Sequence, residues 1–228
     1  MQLKYCSLTG ADDAVAIDDL SALAADFPLV EMAILLMPSR AGQPRFPTAQ
    51  WIKNFAVQYK GQHRAMHLCG EALLGFVADD PAVLDLMQGF QRIQLNLTFA
   101  DAGQKVDPQQ LVAQVRKHAA HTYIVQYGPA HVGFLPYFKD VKNHALLFDD
   151  SAGRGVSPDH WPAPVPGHFC GYAGGLKPDN LEHHLDLIEQ AVGDEVTWID
   201  METGIRTDDK FDLAKCRRVL EIAAQYAE

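Results

Sequence analysis

The chain reads as an α/β protein, a single (β/α)8 TIM barrel spanning residues 1–228. Three observations predict it. Eight short apolar runs alternate with amphipathic stretches, the pattern of βα units around a parallel sheet. No low-complexity tract or linker divides the 228 residues, a length that suits one barrel. The glycine-containing loops fall late, after the sixth, seventh and eighth runs, where a barrel places a phosphate site; an open doubly wound sheet more often has its glycine-rich loop after the first strand.

The eight strand candidates are QLKYCSL near the start, VEMAILLM at 30–37, RAMHLC at 64–69, RIQLNL at 92–97, TYIVQY at 122–127, HALLFD at 144–149, HFCGYA at 168–173 and VTWID at 196–200. Between most of them the apolar period changes to that of a helix. PQQLVAQVRKHAA puts Leu111, Val112, Val115 and Ala119 on one face, and PDNLEHHLDLIEQAV does the same with Leu181, Leu185, Ile188 and Val192. DLAKCRRVLEIAAQYA carries Leu213, Cys216, Val219, Leu220 and Ala223 at helical spacing. The less regular GEALLGFVADDPAVLDLMQGF is expected to form two short helices.

Composition narrows the function classes. A net charge of −10 opposes broad nucleic-acid binding, which needs a basic footprint, but leaves room for a small anion held by backbone amides. Cys6, Cys69, Cys170 and Cys216 are scattered without a C-x-x-C pair, as in a reduced intracellular protein. The first residues lack a signal-peptide core and no apolar run reaches membrane-spanning length, so a cytoplasmic location and no membrane partner are expected.

Barrel chemistry sits at the C-terminal ends of strands. There the sequence offers Cys6; Arg40 and Arg45; His67, Cys69 and Glu71; Gln94 and Asn96; Gln126; Asp149 and Asp150; Gly174 and Gly175; and Asp200, Thr203 and Gly204. Cys6 is either a base or nucleophile, which requires a stabilised thiolate, or a small buried hydrophobe. Asp149 and Asp150 point to opposite sides of a strand, so one can face a ligand, as a proton donor or as a turn residue. Arg40 and Arg45 suit a carboxylate or phosphate, against the commoner role of solvated loop cations. His183 and His184 are expected on the surface. His67, Cys69 and Glu71, with His131, raise a metal reading, but no metal motif is present and none is expected. The loops GGLKPDNL and METGIR, with Gly174, Gly175, Thr203 and Gly204, suit a phosphate because glycine admits close backbone approach beside a helix start.

Taken in order, these segments resemble phosphoribosylanthranilate isomerase, a ribulose-phosphate-binding barrel. LKYCSLT resembles the family's K-x-C-G-L-T, MPSRAGQPR its S-x-R and RIQLN its V-Q-L-H. LLFDDSAGRGVSPDHW resembles its L-L-L-D, glycine-rich loop and Trp; AGGLKPDNL resembles A-G-G-L-x-P-x-N-V, and WIDMETGIR resembles V-D-V-S-S-G-V-E. The departures are Ser7 for glycine, Asn96 for histidine and Arg206 at an acidic position. The resemblance implies an Amadori-type aldose–ketose isomerase of the tryptophan pathway that needs no cofactor. In it Cys6 would be the general base and Asp149 the general acid, Arg40, Gln94, Asn96 and Asp200 would contact substrate, and Gly174, Gly175, Thr203 and Gly204 would hold the phosphate. The alternatives are a sugar-phosphate-binding barrel that senses a metabolite, and a metal-dependent lyase built on His67, Cys69 and Glu71.

Overall fold

The computed structural model describes residues 1–97, 105–128, 131–149 and 157–227. Eight parallel strands close into a barrel in chain order: β1 (Gln2–Thr9), β2 (Val30–Leu36), β3 (His63–Cys69), β4 (Arg92–Asn96), β5 (Thr122–Tyr127), β6 (His144–Asp149), β7 (Cys170–Ala173) and β8 (Val196–Met201). Closure comes from β1, which pairs with β2 on one side and β8 on the other. All eight strand candidates are realised, with ends shifted by a residue or two.

Around them lie α1 (Ile17–Asp26), α2 (Ala49–Gln58), α3 (Glu71–Val77), α4 (Pro81–Met87), α5 (Pro108–Lys117), α6 (Leu135–Phe138), α7 (Leu181–Val192) and α8 (Leu213–Ala223). The irregular stretch after β3 is α3 followed by α4, as its patterning predicts. Several starts are capped by the residue types that favour helix initiation: Thr48 for α2, Asp80 for α4, Asp107 for α5 and Asp212 for α8 each accept from a first-turn amide. Pro81 and Pro108 stand in the first turn, where the missing N–H costs nothing. Among the described residues no helix is long and apolar enough to cross a membrane.

Between β6 and β7, the described residues 157–169 contain no helix. A proline-containing strap covers the strands instead. Trp161 packs edge-on against Tyr172 at 5.7 Å, and the Tyr172 hydroxyl donates to the Pro162 carbonyl at 2.9 Å. Trp161 Nε1 also donates to His184 Nδ1 at 3.3 Å. His184, expected on the surface, is therefore buried under the strap, and burial depresses its pKa. Its neutral ring suits an acceptor nitrogen.

Two layers of core result. The larger lies between sheet and helices and includes Leu8, Ile34, Leu68, Leu95, Val125 and Ile199. The smaller fills the barrel and includes Ile124, Leu147, Ala173 and Trp198. Its floor is charged. Arg92 Nη1 meets Glu31 Oε1 at 2.8 Å, while the guanidinium lies 4.0 Å from the Trp198 ring centroid and 4.7 Å from that of Tyr5. Gly171 makes room for this stack, since a Cβ there would lie 2.0 Å from the Trp198 ring.

Candidate active site at the barrel mouth

Strand alternation decides what the mouth can use. On β1, Ser7 and Thr9 face the interior, where Ser7 Oγ donates to Glu31 Oε1 at 2.5 Å and Thr9 Oγ1 to Asp200 Oδ1 at 2.6 Å. Cys6, between Tyr5 and Ser7, faces the other way and belongs to the sheet–helix layer with Leu3, Leu8 and Cys216 of α8. A bulge in the pairing of β1 with β8, between Leu3 and Tyr5, inserts one residue and puts Leu3 and Cys6 on the same face. Cys6 is 0 % exposed, and burial, reinforced by Asp200 and Glu31, pushes its thiol far above the usual range. In this structure Cys6 packs as a small hydrophobe, the other of the two readings its sequence leaves open.

The interior face of the mouth presents carboxylates instead. Asp200 on β8 stands in register with Ser7 of β1 and Ala173 of β7, and Ala173 is in turn in register with Asp149 at the end of β6. The two aspartates therefore flank β7. Asp200 is 8 % exposed, and its pKa is raised to about 7. Burial is the largest cause; the Thr9 hydrogen bond opposes it, and the negative charges of Glu202, Asp149 and Glu31 add to it. Asp149 is half-buried and lies near His131, whose pKa burial lowers and Asp149 raises. Asp150 and Gly153 fall outside the described residues.

Beside the pair, the loops after β7 and β8 meet. Gly174 and Gly175 adopt φ of 129° and 64°, conformations that favour glycine. Asn180 braces this loop, donating to the Gly175 carbonyl at 3.0 Å and accepting from the Lys177 amide at 2.9 Å. Thr203 and Gly204 form a 3₁₀ turn, and a Cβ on Gly204 would lie 1.9 Å from the Leu176 carbonyl oxygen. The four residues expected to hold an anion are thus brought into adjoining loops whose contact leaves no room for a side chain at Gly204.

The β2 loop supplies two arginines with different surroundings. Arg40 stacks on the Phe46 ring at 4.4 Å and donates from Nε to Gln43 at 3.2 Å. Arg45 crosses the mouth to the β8 loop, where Nη1 reaches Glu202 at 2.7 Å and Nη2 reaches Asp209 at 2.8 Å. Arg206, one of the departures noted in the sequence, is buried, donating to the Gly10 carbonyl at 2.6 Å and meeting Asp12 at 3.1 Å. It is a brace between the loops after β1 and β8. Sequence reasoning missed Asp12 as its partner, because the two lie 194 residues apart in the chain.

Gln94 and Asn96 share the interior side of β4, in register with His67 and Cys69 of β3. Gln94 is buried, and Asn96 Nδ2 meets Cys69 Sγ at 3.6 Å. His67 is held neutral, its pKa lowered to about 3 by burial and by Arg92. Glu71 turns away to accept from the Ser39 amide at 2.5 Å. Among the described residues no group of three His, Cys, Asp or Glu is placed to hold a metal ion, so the lyase reading has no assembled ligand set among them.

No protein-family model matches the sequence, and no curated protein matches it. Solved structures do match in shape. TrpF from Jonesia denitrificans is 16 % identical with a TM-score of 0.64, over 97 % of each chain. Phosphoribosylanthranilate isomerase from Thermotoga maritima is 13 % identical with a TM-score of 0.62, over 98 % of each chain. Thiamine phosphate pyrophosphorylase from Pyrococcus furiosus is 11 % identical with a TM-score of 0.54, over 99 % of this chain and 98 % of that one. At these identities the likeness establishes the fold, a closed (β/α)8 barrel shared with phosphoribosylanthranilate isomerases.

Proposed function

We propose that the protein is an intramolecular isomerase that converts a phosphorylated aminoaldose to the aminoketose, with Asp149 as general acid and Asp200 as general base. The observation that carries this reading is the pair itself: two carboxylates at the ends of β6 and β8, flanking β7 inside one mouth, the buried one titrating near neutrality. A base with a pKa near the working pH combines a populated ionised form with useful basicity.

Asp149, nearer the rim, would protonate the ring oxygen of the furanose and open it to a Schiff base. Asp200, ionised, would take the proton from C2, and tautomerisation of the resulting enamine gives the ketose. The phosphate would rest on backbone amides around Gly174, Gly175, Thr203 and Gly204. Arg40 is a cation for a carboxylate on the amine substituent, whereas Arg45 is held by Glu202 and Asp209; Gln94 and Asn96 line the interior below. Binding energy from the remote phosphate would hold the reacting carbons against the two aspartates.

The test is turnover of phosphoribosylanthranilate and of related phosphorylated aminoaldoses by the purified protein across pH 5–9. Ketose should form at a rate that rises as pH passes through about 7. Stabilisation by sugar phosphates in thermal-shift measurements, with no conversion of any of them, would instead identify a barrel that binds a metabolite without chemistry.

A further inference from the structure

Ser7 and Thr9 stand two residues apart on the interior face of β1, and each donates to a buried carboxylate on a neighbouring strand. Their settings differ. Ser7 completes an ion pair already made by Glu31 and Arg92. Thr9 meets a carboxylate whose charged neighbours are Glu202 of the β8 loop, Asp149 of β6 and Glu31 of β2, all acidic. Glu202 is itself paired with Arg45, which Asp209 also engages.

An aspartate carboxyl rotates broadly about χ2, so an unrestrained Asp200 could offer either oxygen to a ligand. Threonine is stiff at χ1, and Thr9 is buried within a strand, which makes its hydroxyl a fixed donor. We propose that Thr9 is a positioning residue: by donating to Oδ1 it sets the plane of the Asp200 carboxylate and leaves Oδ2 for proton transfer. This rests on the reading of Asp200 as the base. The same bond stabilises the ionised form against its acidic neighbours, so removing it moves the midpoint upward.

The experiment is a ¹³C NMR titration of the Asp carboxyl resonances between pH 4 and 9, with Asp200 assigned through Asp200→Asn. Thr9→Val should raise the Asp200 midpoint by about one pH unit, and Thr9→Ser should bring it back. Thr9→Ala serves if Thr9→Val does not fold. In turnover assays the Val variant should lower kcat at pH 7 by about tenfold with KM little changed, and the acidic limb of its profile should move with the midpoint. An Asp200 midpoint unchanged by loss of the hydroxyl overturns the proposal, whatever happens to thermal stability. The titration needs no substrate. A shifted midpoint in a protein that turns over no aminoaldose would sink the isomerase reading and leave the role of Thr9 in Asp200's ionisation standing, whereas turnover with a fixed midpoint would do the reverse.

Discussion

The floor and the mouth of the barrel both bury carboxylates, and they treat them in opposite ways. At the floor, Glu31 is matched by Arg92 and Ser7, and the guanidinium is sandwiched among aromatic rings. At the mouth, Asp200 accepts from a neutral donor, Thr9, and faces other acids. Compensated charge gives a structural element whose members cannot be removed singly. Uncompensated charge gives a carboxyl that exchanges its proton near neutral pH, at a cost in stability.

The sharpest way to break this contrast is at the floor. Arg92→Met should destabilise the protein by about 3–5 kcal/mol in denaturant unfolding, because Glu31 is left buried without its partner. Replacing both residues by apolar ones of similar volume should recover most of the loss. A small effect of Arg92→Met alone would mean that the floor pair is not compensated in the sense described.

At the mouth the sign reverses. The folded-state pKa of Asp200, about 7, exceeds its unfolded value, so its cost is absent at low pH, grows as pH rises from about 4, and is complete above about 7. Asp200→Asn should therefore stabilise the protein above pH 7, by on the order of 2–4 kcal/mol, with the gain fading in acid. The same variant should lose turnover. Melting curves at pH 4.5 and pH 8 check the first statement, and equal Tm differences at both values would contradict it.

The loop wall is more forgiving. Gly204→Ala drives a Cβ against the Leu176 carbonyl and should cost about 1–3 kcal/mol while weakening inorganic phosphate binding, measured by calorimetry. Cys6→Ala should have the least effect, about 1–2 kcal/mol from lost packing against α8, with kcat retained.

What could be read from the sequence follows from the range of the signal. The strands are short runs rich in apolar residues set between helical periods, so all eight were legible, as were the helix faces and the split between α3 and α4. Gly174, Gly175, Thr203 and Gly204 were legible as loops at adjacent strand ends. Cys6 left two readings open, base or buried hydrophobe, because nothing in LKYCSLT tells which residues of β1 face the interior. The packing of the strap at 157–169 over Tyr172 and His184 carries no periodic signal in the sequence. Arg206 was noted as a departure, but its partner Asp12 lies 194 residues away and only folding pairs them.

The most direct measurement is a side-by-side assay of the wild-type protein, Cys6→Ala, Asp149→Asn and Asp200→Asn on phosphoribosylanthranilate at pH 7.5. The wild type and Cys6→Ala should turn over at similar rates, and both aspartate variants should fall by at least about a hundredfold. An inactive Cys6→Ala beside an active Asp200→Asn would contradict the assignment of the base to the carboxylate of β8.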